Sequence, residues 1–421
     1  MKTLSGRNVI SFISPIQGLC FLCLFAPVRR AAAVPASSEP IIVQQSSSQV
    51  IHVPAEDNDR LDAAESVHET HYVDAYNTTP VFPYTDWFTA ATNIQDAVDA
   101  ATFTDTVFVA DGVYNLTSGI VVDKQITLRS VNGPDVTIVD GGGSTGCFNL
   151  GSNACLLSGF TIRHGKVNSY GGAWNGSGGG VYCLDTASVV SNCIIRDNFS
   201  FLSGSGMYGG TAYNCTFSSN SVDTGNGSGM ANGVAYNCIF SDNTRGGISG
   251  STAVNCMISD NSGSRRGCGI YGGTAINCII SGNSTPIEGG GIYHGTAYHC
   301  VFTGNEAHAA GGGMFEATAI NCIFIGNRAD SGGGMYNSTA INCTIIGNEA
   351  DLNGGGLVGG TATNCIIYYN QAGGTGNDTY SVSPRFSCAS DLPHGSYGNI
   401  TNAPLFADRF DKNFRLTDQS P

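Results

Sequence analysis

Two carboxylates, Asp242 and Asp260, each stand four residues after a cysteine, with Arg245, Arg265 and Arg266 close behind. If the chain lays one coil over the next, the two side chains sit about 5 Å apart, the spacing of paired strands. Clustered carboxylates of that kind can hold Ca²⁺, and a neighbouring basic group can assist removal of a proton alpha to a carboxyl group. Asp197 belongs to the same series. The competing reading is that Asp precedes a turn Asn, where later coils carry Gly282, Gly304, Gly326 and Gly347. A second candidate is GGTGNDTYS, Gly373 to Ser381, which matches the Ca²⁺-binding nonapeptide G-G-x-G-x-D-x-U-x with Asp378 as the ligand. Such sites are built from successive copies. A single copy in a glycine-rich chain is a weak match and reads rather as a loop near the C-terminal end. Ca²⁺ is thus the one cofactor the sequence leaves open.

What must position these groups is a repeat. Cys193, Cys215, Cys238, Cys256, Cys278, Cys300, Cys322, Cys343 and Cys365 recur at steps of 22, 23, 18, 22, 22, 22, 21 and 22. Asn precedes each except Cys300, which follows His299, and another Asn lies five residues after every one, from Asn198 to Asn370. Glycine clusters such as Gly311–Gly313 and Gly332–Gly334 separate the units. Around each Cys the pattern alternates with period two, so Ile320, Cys322 and Phe324 share one face. Gly and Asn supply the left-handed backbone of sharp corners. A period near 22 without helical patterning predicts an all-β, right-handed parallel β-helix of about 12–13 coils, whose backbone is satisfied only by stacking. The cysteines read as small buried residues holding free thiols, because stacked side chains point in parallel rather than toward each other. A disulfide among the off-ladder Cys147, Cys155, Cys183, Cys268 and Cys388 stays open.

Ahead of the repeat, Asn93 is placed to cap a short helix, with Ile94, Ala97, Val98 and Ala101 on one face. Such a helix covers the open end of the stack. Strands are expected at Thr106–Ala110, Ile120–Val122, Gln125–Ser130 and Val136–Val139. The expected divisions are 1–33 signal peptide (or uncleaved anchor), 34–70 flexible linker, 71–102 N-terminal cap, 103–385 β-helix and 386–421 closing segment, the last reading as truncated. Glu306, Arg328 and Glu349 alternate in charge six residues after Cys and read as structural pairs.

The residue after each Cys points outward. Ile279, Val301 and Ile323 occupy that column on three successive coils, flanked by Asn277, His299 and Asn321. A partly apolar stripe of this kind is a candidate binding surface and a risk for self-association. The chain has net charge −14, falling to −18 without the four basic residues of positions 1–33, and charged residues make up only 12%. That balance disfavours nucleic acid, and a polyanion would need a bridging cation. The basic start and apolar run before Ala31–Ala33 predict export, to the cell surface or beyond.

The stretches TNIQDAVDAATFTDTVFVADGVYNL and IVVDKQITLRSVNGPDVTIVDGGG resemble the N-terminal part of bacterial right-handed parallel β-helix repeat proteins of the pectate-lyase-like superfamily. The Gly-Gly-Gly-Ile/Met-aromatic clusters and the F-x-x-N units, such as Phe302–Asn305 and Phe324–Asn327, are similar to polymorphic outer-membrane adhesin repeats. The tail GNITNAPLFADRFDKNFRLTDQSP is similar to the closing segment of surface β-helix proteins. The resemblance covers about residues 71–421 and implies a Gram-negative surface or secreted protein. Its expected role is adhesion, binding or scaffolding with a glycan or surface-protein partner. The alternative is an extracellular polysaccharide lyase or glycoside hydrolase, since one fold hosts several activities.

Overall fold

The computed structural model describes residues 68–421 apart from 152, 153, 173, 393, 394 and 410, so the expected leader and most of the linker lie outside the described residues. Each regular coil has four short legs. In one, Met314–Phe315 and Thr318–Ile320 flank a left-handed corner at Glu316 (φ 46°). A second corner at Asn321 (φ 56°) leads into Ile323–Ile325, a third at Gly326 (φ 61°) into Arg328–Ser331, and a fourth at Gly332 (φ 65°) closes the turn. All coil-to-coil pairing is parallel, as in Ile323↔Thr344 and Thr318↔Thr339, and its register shifts only in the fourth leg, between Ala307 and Ala310 and between Ala329 and Ser331. The first two legs merge into one 23-stranded sheet, and the third forms a 12-stranded sheet. The fourth forms sheets of three and five strands, linked through Ser221↔Thr244, Thr244↔Ser262 and Ser262↔Ser284. The protein is a right-handed parallel β-helix of about 13 turns.

Period-two alternation fills the interior with columns of like residues. Ala319, Cys322 and Phe324 are almost wholly buried, and Phe302 stacks on Phe324 with ring centroids 4.4 Å apart. All described cysteines are free and buried, including the five off the ladder, so the inward column holds thiols, not disulfides. Each ladder thiol is also a hydrogen-bonding group: Cys300 N–H donates to Cys322 Sγ at 3.4 Å, and Cys322 Sγ donates to the Ile320 carbonyl at 3.3 Å. The glycine clusters are required by close approach as well as by corners. A Cβ on Gly313 would lie 2.5 Å from the Gly334 carbonyl oxygen.

The Asn five residues after each Cys turns inward and forms a buried ladder. Asn305 Nδ2 donates to Asn327 Oδ1 (2.9 Å) and to the Ile280 carbonyl (2.8 Å), while its backbone N–H donates to the same Asn327 Oδ1 (3.0 Å). The ladder begins where Gly165 N–H donates to Asn198 Oδ1 (2.8 Å). It ends on Asp378, whose Oδ1 accepts from Asn370 N–H (3.0 Å) and Nδ2 (3.1 Å).

Helix α1, Ile94–Ala100, is capped by Asn93, which accepts from Asp96 N–H, and it buries Ile94, Ala97 and Val98. Ahead of it lies a strand the sequence pattern does not announce, Thr70–Val73, paired with Thr106–Val109. Two of the expected strands begin later than the alternation suggests, at Thr127 and Thr137, and a further one occupies Gly112–Asn115.

Candidate functional site

Asp242 and Asp260 lie on consecutive coils, both exposed, at left-handed corners (φ 56° and 57°). The same corner is occupied by Asp197, Ser219, Gly282, Gly304, Gly326 and Gly347, all with positive φ. Asp tolerates that conformation better than most residues, so the column has a backbone reason independent of chemistry. The three arginines gather elsewhere: Arg245, Arg265 and Arg266 line a cleft with Asn226, Ser264 and Tyr271, a cleft to which neither aspartate contributes. Arg266 is engaged there by Glu288 and lies over the Tyr293 ring. No group of three or more His, Cys, Asp or Glu is disposed to hold a metal ion among the described residues.

Asp378 is buried, and its second oxygen accepts from Ser390 N–H (3.0 Å) and Oγ (2.5 Å). Burial raises its pKa against the pull of those hydrogen bonds. Both oxygens are therefore committed to closing the asparagine ladder, and the nonapeptide match places a structural carboxylate. In the outer stripe, Ile279, Val301 and Ile323 stand on the outside of the 12-stranded sheet, half-buried, beside the exposed Asn277, His299 and Asn321. Arg328 pairs with Glu349 (3.5 Å) and Asp351 (2.6 Å), so the alternating charges do form contacts up the stack.

A second constellation escaped sequence reading. In the outer column two places beyond the stripe, Asp140, Arg163 and Arg196 stack on successive coils. Asp140 Oδ2 accepts from Arg163 Nε (2.7 Å), Oδ1 accepts from Gly142 N–H (2.9 Å), and His164 Nδ1 lies 3.1 Å from both oxygens. Burial pushes the Asp140 pKa up, but the bonds from Gly142, Arg163 and His164 outweigh it and leave the carboxyl below its ordinary value. Arg196 pairs with Asp197 at 2.5 Å. Asp140, His164, Lys166, Asp197 and Phe199 line an open cleft of about 510 Å³. Lys166 Nζ sits 5.7 Å from the centre of the Phe199 ring and pairs with no carboxylate among the described residues. The missed signal was positional: Phe160 occupies the ladder-cysteine place, its N–H donating to Cys193 Sγ, and the 33-residue step between them hides the period.

The fold itself is a right-handed parallel β-helix. No protein-family model matches the chain, and no curated protein matches its sequence. Among solved structures, the pectate lyase Pel9A aligns over 84% of this chain and 90% of its own, at 14% identity and a TM-score of 0.40. The PL6 family alginate lyase AlyGC aligns over 77% of this chain at 11% identity and a TM-score of 0.41, and this chain spans 55% of its length. PfbA, a surface adhesin of Streptococcus pneumoniae, aligns over 70% of this chain and 87% of its own, at 10% identity and a TM-score of 0.30. No helix of the described residues is long and apolar enough to cross a membrane.

Proposed function

We propose that this is an exported β-helix that binds an acidic glycan in the cleft lined by Asp140, His164, Lys166, Asp197 and Phe199. The observation that carries the reading is Lys166, an ammonium held over an aromatic ring with no carboxylate partner among the described residues, in a chain with only four lysines. Overall charge repels a polyanion, yet potential is local. Lys166 lies two residues beyond His164, and both line the cleft. A sugar carboxylate would find charge-assisted donors there, and Phe199 offers an apolar edge to the sugar ring. Titrating the full-length protein with oligogalacturonate and oligomannuronate, with a neutral glucan as control, tests the reading. An acidic oligosaccharide should bind and Lys166→Ala should weaken it at least tenfold. Equal binding of the neutral glucan, or indifference to Lys166→Ala, would sink the proposal.

One observation favours eliminative cleavage as a second reading. The Asp140 contact orients His164 through Nδ1, leaving Nε2 as the nitrogen to abstract a proton alpha to the sugar carboxylate. If so, unsaturated ends accumulate on incubation with the acidic oligosaccharide, and His164→Ala stops their release while binding persists.

A further inference from the structure

The arginine cleft arises from the one short coil. Cys238 and Cys256 are 18 residues apart, and the missing residues fall between the fourth leg and the next coil, where Arg245–Gly247 replaces a longer loop. The neighbouring coils keep their loops, Asp223–Gly227 on one side and Gly263–Gly267 on the other, so the short coil leaves an indentation of about 380 Å³ between them. Hydrogen bonding up the stack continues through it: Arg245 N–H donates to the Ser262 carbonyl at 2.6 Å, and Gly227 N–H to the Arg245 carbonyl at 3.1 Å.

Three features of the indentation call for a ligand. Arg245 and Arg265 project from consecutive coils and pair with no carboxylate among the described residues, although acidic groups outnumber basic ones 32 to 18 in the chain. Ser264 adds a hydroxyl to the same wall. Opposite, Asn226 Oδ1 is buried without any hydrogen-bond partner, an unfavourable state when nothing fills it. Two guanidiniums and a hydroxyl arriving from different coils suit an anion with oxygens in three directions, and the lone acceptor needs a donor next to that anion.

We propose that this indentation binds a tetrahedral oxyanion ester carried on a polyol, a sulfated or phosphorylated sugar. Arg245 and Arg265 take the ester oxygens, as guanidinium forks do for sulfate and phosphate, and Asn226 Oδ1 accepts from an adjacent hydroxyl. The site is independent of the Lys166 cleft.

Calorimetric titration of the full-length protein with glucose 6-sulfate, glucose 6-phosphate, glucuronate and inorganic sulfate tests it. One or both sugar esters should bind, the sulfate and phosphate arms showing which ester the site takes. Arg245→Gln with Arg265→Gln should cut that affinity at least tenfold. Arg265→Gln alone, at an exposed position, gives the same direction should the double variant fold poorly. Asn226→Ala should weaken the sugar ester but leave inorganic sulfate unchanged, and Lys166→Ala should change neither, which separates this site from the acidic-glycan cleft. Binding of glucuronate as tight as that of the esters would overturn the proposal. So would inorganic sulfate as the sole or equal ligand, or no binding by either ester.

Discussion

One outer column of the 12-stranded sheet reads differently at its two ends. It begins Asn115, Asp140, Arg163, Arg196, continues through Ser218, Ser241, Ser259, Ser281 and Thr303, and ends Ile325, Ile346, Tyr368. The left-handed corner beside it runs from His164 and Asp197 at one end to Gly304, Gly326 and Gly347 toward the other. The backbone conformation is the same throughout; the side chains are not. Toward the C-terminus the corners carry glycine, which adopts positive φ without strain. At the N-terminal end a histidine is kept in that conformation, at a cost on the order of 1 kcal/mol. Tyr369, the bulky exception at the C-terminal end, is held by another use: its hydroxyl donates to the Pro404 carbonyl and Arg409 lies 4.4 Å from its ring centre, fastening the tail. In this column the regular coils carry residues that serve the stack, and the N-terminal ones carry charge.

The largest effect should come from the regular end. Cys322→Arg puts an unpaired charge in the column and should cost about 3–5 kcal/mol, enough to unfold the local stack. Cys322→Ser should do far less harm, because a hydroxyl can still donate to the Ile320 carbonyl and accept from Cys300 N–H. Denaturant unfolding measures both, and rapid maleimide labelling of native ladder thiols would contradict their burial.

Next is the ladder terminus. Asp378→Ala strips the acceptor from Asn370 Nδ2 and N–H and from Ser390 N–H, and should cost about 2–4 kcal/mol. Its folded pKa is raised, so its contribution is fully present below the ordinary carboxylate range and is lost as pH rises through the raised value. The wild-type protein should therefore lose stability across that interval, starting near the ordinary carboxylate value of 3.8, and Asp378→Ala should flatten this component of the pH profile.

A smaller effect separates the two ends directly. Gly326→His should destabilise by about 1–2 kcal/mol, the penalty of a side chain at φ 61°. The reverse change, His164→Gly, should relieve that strain while losing the Asp140 contact, leaving stability within about 1 kcal/mol of wild type. Yet it should stop any cleavage in the acidic-glycan cleft, while binding persists. A His164→Gly variant that keeps full function would remove the reason for strain at this corner.

How legible all this was depended on periodicity. The Cys and Asn columns, the outward stripe and the Asn93-capped helix could be read because each is a repeated or local pattern. Thr70–Val73 was missed because four residues carry too little alternation to stand out from a polar stretch. The Asp140–Lys166 cluster was missed because Phe160 and Gly165 replace the Cys and Asn that set the alignment, so His164 had no visible column. Asp242 and Asp260 were placed on successive coils correctly, but a spacing argument along the chain cannot show that Arg265 and Arg266 turn off at the next corner into a different cleft. Asp378 matched a ligand motif whose oxygens the fold had already used.

The smallest stability effect concerns the stripe, which we propose as a surface for a protein partner or a second copy of the chain. Ile279, Val301 and Ile323 are half-buried, shielded by neighbours up and down the sheet but open on the outer side. β-branching suits a pleated surface, so exchanging all three for Thr keeps the strand preference and removes only exposed methyl groups. At about 25 cal/mol per Å² of apolar surface, and with much of each side chain already in water, the triple variant should lose on the order of 1 kcal/mol. Its effect should appear in association, as a sedimentation shift toward monomer or weaker capture of a surface partner. A loss of about 3 kcal/mol or more would mean that something covers the column in solution. A stable variant with association unchanged would leave the 12-stranded sheet as a scaffold, whose outer residues are chosen for pleat alone.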